Sequence, residues 1–91
     1  MLVSLEEMKK YLRVDYDDDD RLIEELIKSS ICLCMNIARI DNETVFEQEK
    51  CSKIAVLYAV AYLYEHRENA NHKQLVNSLK TLLSSMRKED F

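Results

Sequence analysis

Ninety-one residues with no glycine and no proline, 47% apolar and 33% charged, exclude a β-rich fold with many tight hairpins, whose turns draw on glycine's positive φ. The helical spacing of the apolar residues points instead to one all-α domain. A net charge of −4 and a pI near 5.1 disfavour a surface built to hold nucleic acid, because backbone binding needs clustered Lys and Arg. A chain of this length buries only about 60–65% of the surface its unfolded state exposes, so its stability is marginal and contacts with neighbouring subunits would add to it.

The sequence Val3-Ser4-Leu5-Glu6-Glu7-Met8 predicts a helix start. Ser4 can accept from the amide of Glu7 while the Glu7 carboxylate reaches back to the amide of Ser4, the reciprocal arrangement of a capping box. Val3 and Met8 stand where a hydrophobic staple closes, and a short helix follows from Leu5 to Leu12.

Arg13 to Asp20, RVDYDDDD, is the most acidic run in the chain. Taken as a calcium loop it offers Asp15, Asp17 and Asp19 at positions one, three and five. It then places Asp20 where glycine is needed and Leu26 where a bidentate Glu is needed, so the EF-hand pattern fails. The run reads instead as a helix start, with Asp17 or Asp18 as cap and the later acids in the first turn, where the dipole favours negative charge.

The helix so begun runs from about Asp18 or Asp19 to Arg39, with Leu22, Ile23, Leu26, Ile27, Ile31, Cys34, Ile37 and Ala38 recurring at three and four. Arg21 with Glu25 and Glu24 with Lys28 are four apart on its outer side. Three cysteines, an odd number with no stretch that reads as a secretory leader, predict reduced thiols that act as small buried filler. Cys32 and Cys34 lie about 200° apart on a helix and cannot converge on one metal. With Cys51, His66 and His72 scattered elsewhere, no zinc spacing is present, and neither a metal nor a cofactor is expected.

Asp41-Asn42-Glu43-Thr44 interrupts the apolar pattern and supplies residues that tolerate the left-handed conformation where glycine is missing. Thr44 could cap a helix with Glu47 three residues later, or Val45 and Phe46 could belong to an irregular segment packed on the core. A central helix then begins between Val45 and Lys50. From Ile54 to Tyr64 nothing polar interrupts except three tyrosine hydroxyls, so this helix is apolar all round and is expected to be covered on every side. Eleven residues reach only about 16 Å, roughly half of a hydrocarbon core, so the cover is protein and not lipid. Ala55 and Ala59 form a shallow stripe for close helix approach, and Leu57, Val60, Leu63 and Tyr64 form a bulkier, buried side. The tyrosine hydroxyls are expected at the rim or with partners.

Glu65-His66-Arg67-Glu68 ends the apolar run in charge. A catalytic site would use His66 as base with Glu65 or Glu68 to orient it, but adjacent residues on a helix do not face each other and no nucleophile accompanies them. The chain is therefore not expected to be an enzyme. Arg67 is placed to tie this helix end to an acidic neighbour, in the same chain or the next subunit. Asn69-Ala70-Asn71-His72 makes a second turn, and a last helix runs from about Lys73 to Met86 or Arg87 with Leu75, Val76, Leu79, Leu82, Leu83 and Met86 on one stripe. Glu65, Arg67 and Glu68, with Arg87 and Phe91 near the C-terminus, are the candidate subunit or partner contacts.

In order, a capped short helix, SLEEMKKYLRVD, leads into DYDDDDRLIEELIKSS; a connecting segment follows, then the apolar helix ending YLYEHRE and a closing LVNSLKTLLSSMR. This arrangement resembles the small head-tail connector proteins of long-tailed bacteriophages and prophages, also called head completion or adaptor proteins. Leu63-Tyr64-Glu65-x-Arg67-Glu68 and the ending from Leu82-Leu83 to Arg87 carry the resemblance most specifically. Many relatives have a proline and an aromatic residue before the last helix, whereas His72 to Asn77 has neither. The resemblance implies a virion protein made in the host cytoplasm and without catalytic activity. It implies a homo-oligomeric ring, dodecameric in form, that sits at the head-tail junction beneath the portal protein and receives the next neck or tail component. DNA would pass through it without specific binding, and no membrane is involved. Two other readings fit parts of the sequence: a DNA-binding regulator using Lys73, Gln74, Asn77 and Lys80, and a small helical protein-protein interaction module.

Overall fold

The computed structural model describes residues 2–84, which form five α-helices and no strand. They are α1 (Leu5–Leu12), α2 (Asp20–Ala38), α3 (Glu43–Gln48), α4 (Lys50–Glu65) and α5 (His72–Leu83). The architecture is the small all-α bundle, of about four helices around an apolar central one, that the helical periodicity predicts. The cap of α3 is Asn42, not Thr44: the Asn42 side chain accepts from the amide of Val45 at 3.2 Å.

α2 packs on α4, and α5 packs on both of them. Ile23, Ile27 and Cys34 of α2 are fully buried, as are Val56 and Val60 of α4 and Leu75, Leu79 and Leu83 of α5. Each such aliphatic side chain contributes about 1.5–3 kcal/mol through the water it sheds. Ala55 and Ala59 are also fully buried, so the small stripe of α4 is where neighbouring helices come closest. The bulkier side is only partly covered, with Val60 buried and Leu57 and Leu63 half-buried. Val76 and Leu82 of α5 are half-exposed, which narrows its inner face to the three leucines.

The start of α1 forms as its sequence directs, with Ser4 accepting from the Glu7 amide at 3.1 Å and Val3 and Met8 fully buried. The reciprocal half of the capping box does not form, because the Glu7 carboxylate turns to an ion pair with Lys53 on α4. One cap bond is thus present, and Ser4→Ala is expected to lower stability by about 1 kcal/mol, read from the shift in urea midpoint at constant slope.

The turns depart further from expectation. Among the described residues no asparagine or aspartate takes a positive φ; those that do are Arg13 (φ 60°) and Arg39 (φ 59°). Both end their helices in a Schellman pair. The Arg13 amide donates to Lys10 at 3.2 Å and the Val14 amide to Lys9 at 2.9 Å, while Arg39 donates to Asn36 at 3.2 Å and Ile40 to Met35 at 3.0 Å. The left-handed residue turns the chain so that the next one, Val14 or Ile40, folds back against the core, as the motif requires.

The cap of α2 also differs. Asp19 occupies the cap position, not Asp17 or Asp18, and makes no side-chain cap bond. Its carboxylate is directed at α4. The cysteines divide: Cys34 is buried, and burial pushes its thiol up to about 12, whereas Cys51 is half-buried and Cys32 is exposed and not core filler. Ser30 is fully buried with no hydrogen-bond partner for its hydroxyl.

Candidate docking faces

The end of the molecule where α2 begins and α4 ends is tied together by polar groups. Asp19 accepts a 2.6 Å bond from the hydroxyl of Tyr64, the Tyr16 hydroxyl lies 3.1 Å from that of Tyr64, and the Arg67 guanidinium is 3.5 Å from Asp19. Arg67 also lies over the Tyr64 ring at 4.6 Å from its centre, a cation–π contact. Close by, Lys9 bridges Asp17 at 2.9 Å and Asp20 at 2.7 Å. Three acids of the run, Asp17, Asp19 and Asp20, are therefore engaged by Lys9, Tyr64 and Arg67. Among the described residues no group of three or more acidic, His or Cys side chains could hold an ion.

The electrostatics follow the geometry. The Tyr64 bond, and after it Arg67, hold the Asp19 carboxyl below its ordinary value of 3.8, and the same bond pushes the Tyr64 phenol up. Asp20 and then Asp17 raise the Lys9 ammonium, and Lys53 lowers Glu7. A carboxyl whose folded pKa is depressed stabilises the fold above its unfolded pKa, and that contribution is lost as pH falls through the folded one. Wild type should therefore exceed Asp19→Asn in stability above about pH 5, and the gap should close as the pH falls below about 4. Parallel urea titrations across that range check it; a gap that persists into acid would show that Asp19 acts through shape and not charge.

Tyr62 is partnered as well. It accepts from the Asn71 amide at 3.0 Å, fixing the turn into α5, and stacks on His66 with ring centres 4.3 Å apart. The Nδ1 of His66 is engaged with the Tyr62 carbonyl at 2.9 Å. This imidazole caps a helix end and orients no nucleophile.

The central helix is not enclosed by its own chain. Ile54 is 59% exposed, and with Tyr58, Ala61 and Glu65 it follows the i, i+4, i+7, i+11 spacing of a single helix face. α1 lies along one side of that face, and an open groove of about 540 Å³ between them is lined by Tyr11, Leu12, Arg13, Tyr58, Ala61, Tyr62 and Glu65. Tyr11 is 54% exposed. On the other side a shallower depression is bounded by Tyr58, Ser78, Thr81 and Leu82. α2 and α5 make most of the contact with α4, α1 and α3 make less, and the side that carries Ile54 is left open.

A second groove, of about 570 Å³, lies at the far end of α2 and is lined by Cys32, Met35, Asn36, Arg39, Ile40 and Asp41. It adjoins a third, which adds Lys28, Ile31 and Glu43. The lining combines the last turns of α2 with the connection that follows it into α3.

Of the residues singled out from the sequence, Arg67 joins the Asp19 network within the chain. Glu65 lines the groove beside α1, and Glu68 is exposed in the turn that follows. Neither acid forms an ion pair among the described residues. Arg87 and Phe91 lie outside the described residues. Tyr11, Tyr16, Asp19, Ile54 and Tyr58 were not singled out. The spacing of Ile54, Tyr58, Ala61 and Glu65, with a charge closing an apolar file, was the available signal for the open side.

A family model described as Phage gp6-like head-tail connector protein matches residues 2–88. No curated protein and no solved structure matches the chain. The match covers every helix described above, from the Ser4 cap through α5, and on that ground the chain belongs to the phage gp6-like head-tail connector family.

Proposed function

We propose that copies of this chain form a ring beneath the portal of a DNA-filled phage head and present the surface onto which the next neck or tail component assembles. The family gives the structural role of joining head to tail. The observation that carries the finer reading is the open side of the helix with the longest apolar run, where Ile54 is 59% exposed and Tyr58 and Ala61 are half-buried: a monomer leaves it in water, and subunit contact removes it. The subunit acts by shape and contact, without chemistry. Its acidic balance, −4 overall, suits the rim of a DNA conduit, since like charge repels phosphates and leaves a duplex free to slide.

Co-assembly with the cognate portal ring is the direct test, with the expected result a stoichiometric collar on the portal in electron micrographs; absence of any bound density would remove the reading. The purified chain should show no measurable duplex binding at low salt, and a salt-sensitive complex would contradict the sliding role.

A further inference from the structure

Two grooves on this chain have unused charges of both signs. The groove beside α1 carries Arg13 and Glu65 at the edge of a floor made by Tyr58 and Ala61. The groove at the end of α2 carries Arg39 and Asp41 beside Met35 and Ile40. None of these four charged groups makes an ion pair among the described residues, and all four are exposed. The two grooves share no lining residue, one lying between α1 and α4 and the other at the end of α2.

Arg39 adds a second observation. It occupies a left-handed position where glycine or asparagine is the ordinary choice, because a Cβ is disfavoured there. The bonds that end α2 account for that conformation, and they leave the exposed Arg39 side chain lining the groove, paired with no acid among the described residues.

We propose that the groove beside α1 receives the α2 end of a second copy of this chain, with Arg39 entering between the tyrosine rings to meet Glu65 and Asp41 meeting Arg13. Guanidinium suits this place because it pairs with a carboxylate and lies on aromatic faces at once. The apolar parts match as well: Met35 and Ile40 of one copy would cover Tyr58 and Ala61 of the next. The two surfaces are unlike, so the contact is heterologous and repeats head to tail, generating a ring where the rotation closes. This assignment rests on the ring reading above and adds which faces make the contact.

The test is a charge exchange in the full chain, with self-association followed by sedimentation over a range of concentrations. Wild type is expected to form species larger than a dimer as concentration rises. Arg39→Glu and Glu65→Arg should each weaken association about tenfold or more, and the double variant should recover most of that loss, because the pair is restored with its signs exchanged. Both sites are exposed, so circular dichroism should remain that of the wild type. If Glu65→Arg weakens association while Arg39→Glu does not, the groove beside α1 meets its own image in a closed dimer, and the assignment is overturned. If neither variant has an effect on a wild type that associates, the faces are wrong and the ring reading stands. A wild type that stays monomeric throughout also overturns this contact between free copies, and portal co-assembly then decides the ring reading by itself.

Discussion

Replacing Phe46 by alanine is expected to lower stability by about 3–5 kcal/mol, the cost of emptying a fully enclosed aromatic site. Phe46 is 0% exposed and heads the largest fully buried side chains, although it sits on a helix of only six residues. α3 has too few turns to persist by itself, so the ring is what fastens it to α4. The Phe46 carbonyl accepts a 2.6 Å bond from the hydroxyl of Ser52, itself fully buried. Loss of the ring would therefore disturb a buried polar contact as well as leave a void. Against a total of about 5–14 kcal/mol for a chain of this length, that is a large share. Urea unfolding of Phe46→Ala at neutral pH checks it, and a loss below about 1 kcal/mol would show that α3 can detach without disturbing the rest.

Leu79→Ala is expected to cost about 2–5 kcal/mol, for a different reason. Leu79 lies midway along α5, between Leu75 and Leu83, and all three are fully buried where α5 enters the cleft between α2 and α4. Its removal leaves a void that two helices must both collapse to fill, and close-packed neighbours relax only in part. The control is Leu82→Ala, at a half-exposed position beside Thr81 and Tyr58. Truncation there should cost well under half as much. Equal losses at both sites would show that Leu82 is enclosed as fully as Leu79.

Periodicity made the helices legible because burial and helical spacing are one constraint seen twice. The start of α1, the extent of α2 and the inner leucines of α5 are encoded within a few residues of themselves. Ends were less legible wherever a distant side chain competed for the local partner. Ser4 and Glu7 spell a capping box, yet Glu7 is drawn to Lys53, more than forty places along the chain. Asp19 reads as a first-turn acid behind a cap at Asp17 or Asp18, yet it takes the cap position itself while Tyr64 and Arg67 claim its carboxylate.

The candidate faces were half legible. Glu65 was singled out for its charge at the end of an apolar file, and it does line a groove, but the aromatic floor beside it was assigned to the interior. An apolar run does not say how many neighbours the chain will supply to cover it, and here the side that carries Ile54 is left open. Arg39 carried no signal at all. A left-handed conformation at arginine follows from the Schellman bonding and the need to bring Ile40 inward, and neither is written in the residue itself.

The antiparallel pair of α2 and α4 is fastened by different means at its two extremities. Where α2 begins, the clasp is made of charge and phenol; beyond the end of α2 it is made of the buried Phe46 ring and the bond from Ser52 to the Phe46 carbonyl. Ionic strength and acid act on the first clasp and leave the second untouched. The molecule can thus be opened from one side like a hinged plate, and amide exchange at raised salt should quicken around residues 16–20 and 64–67 before it quickens around α3.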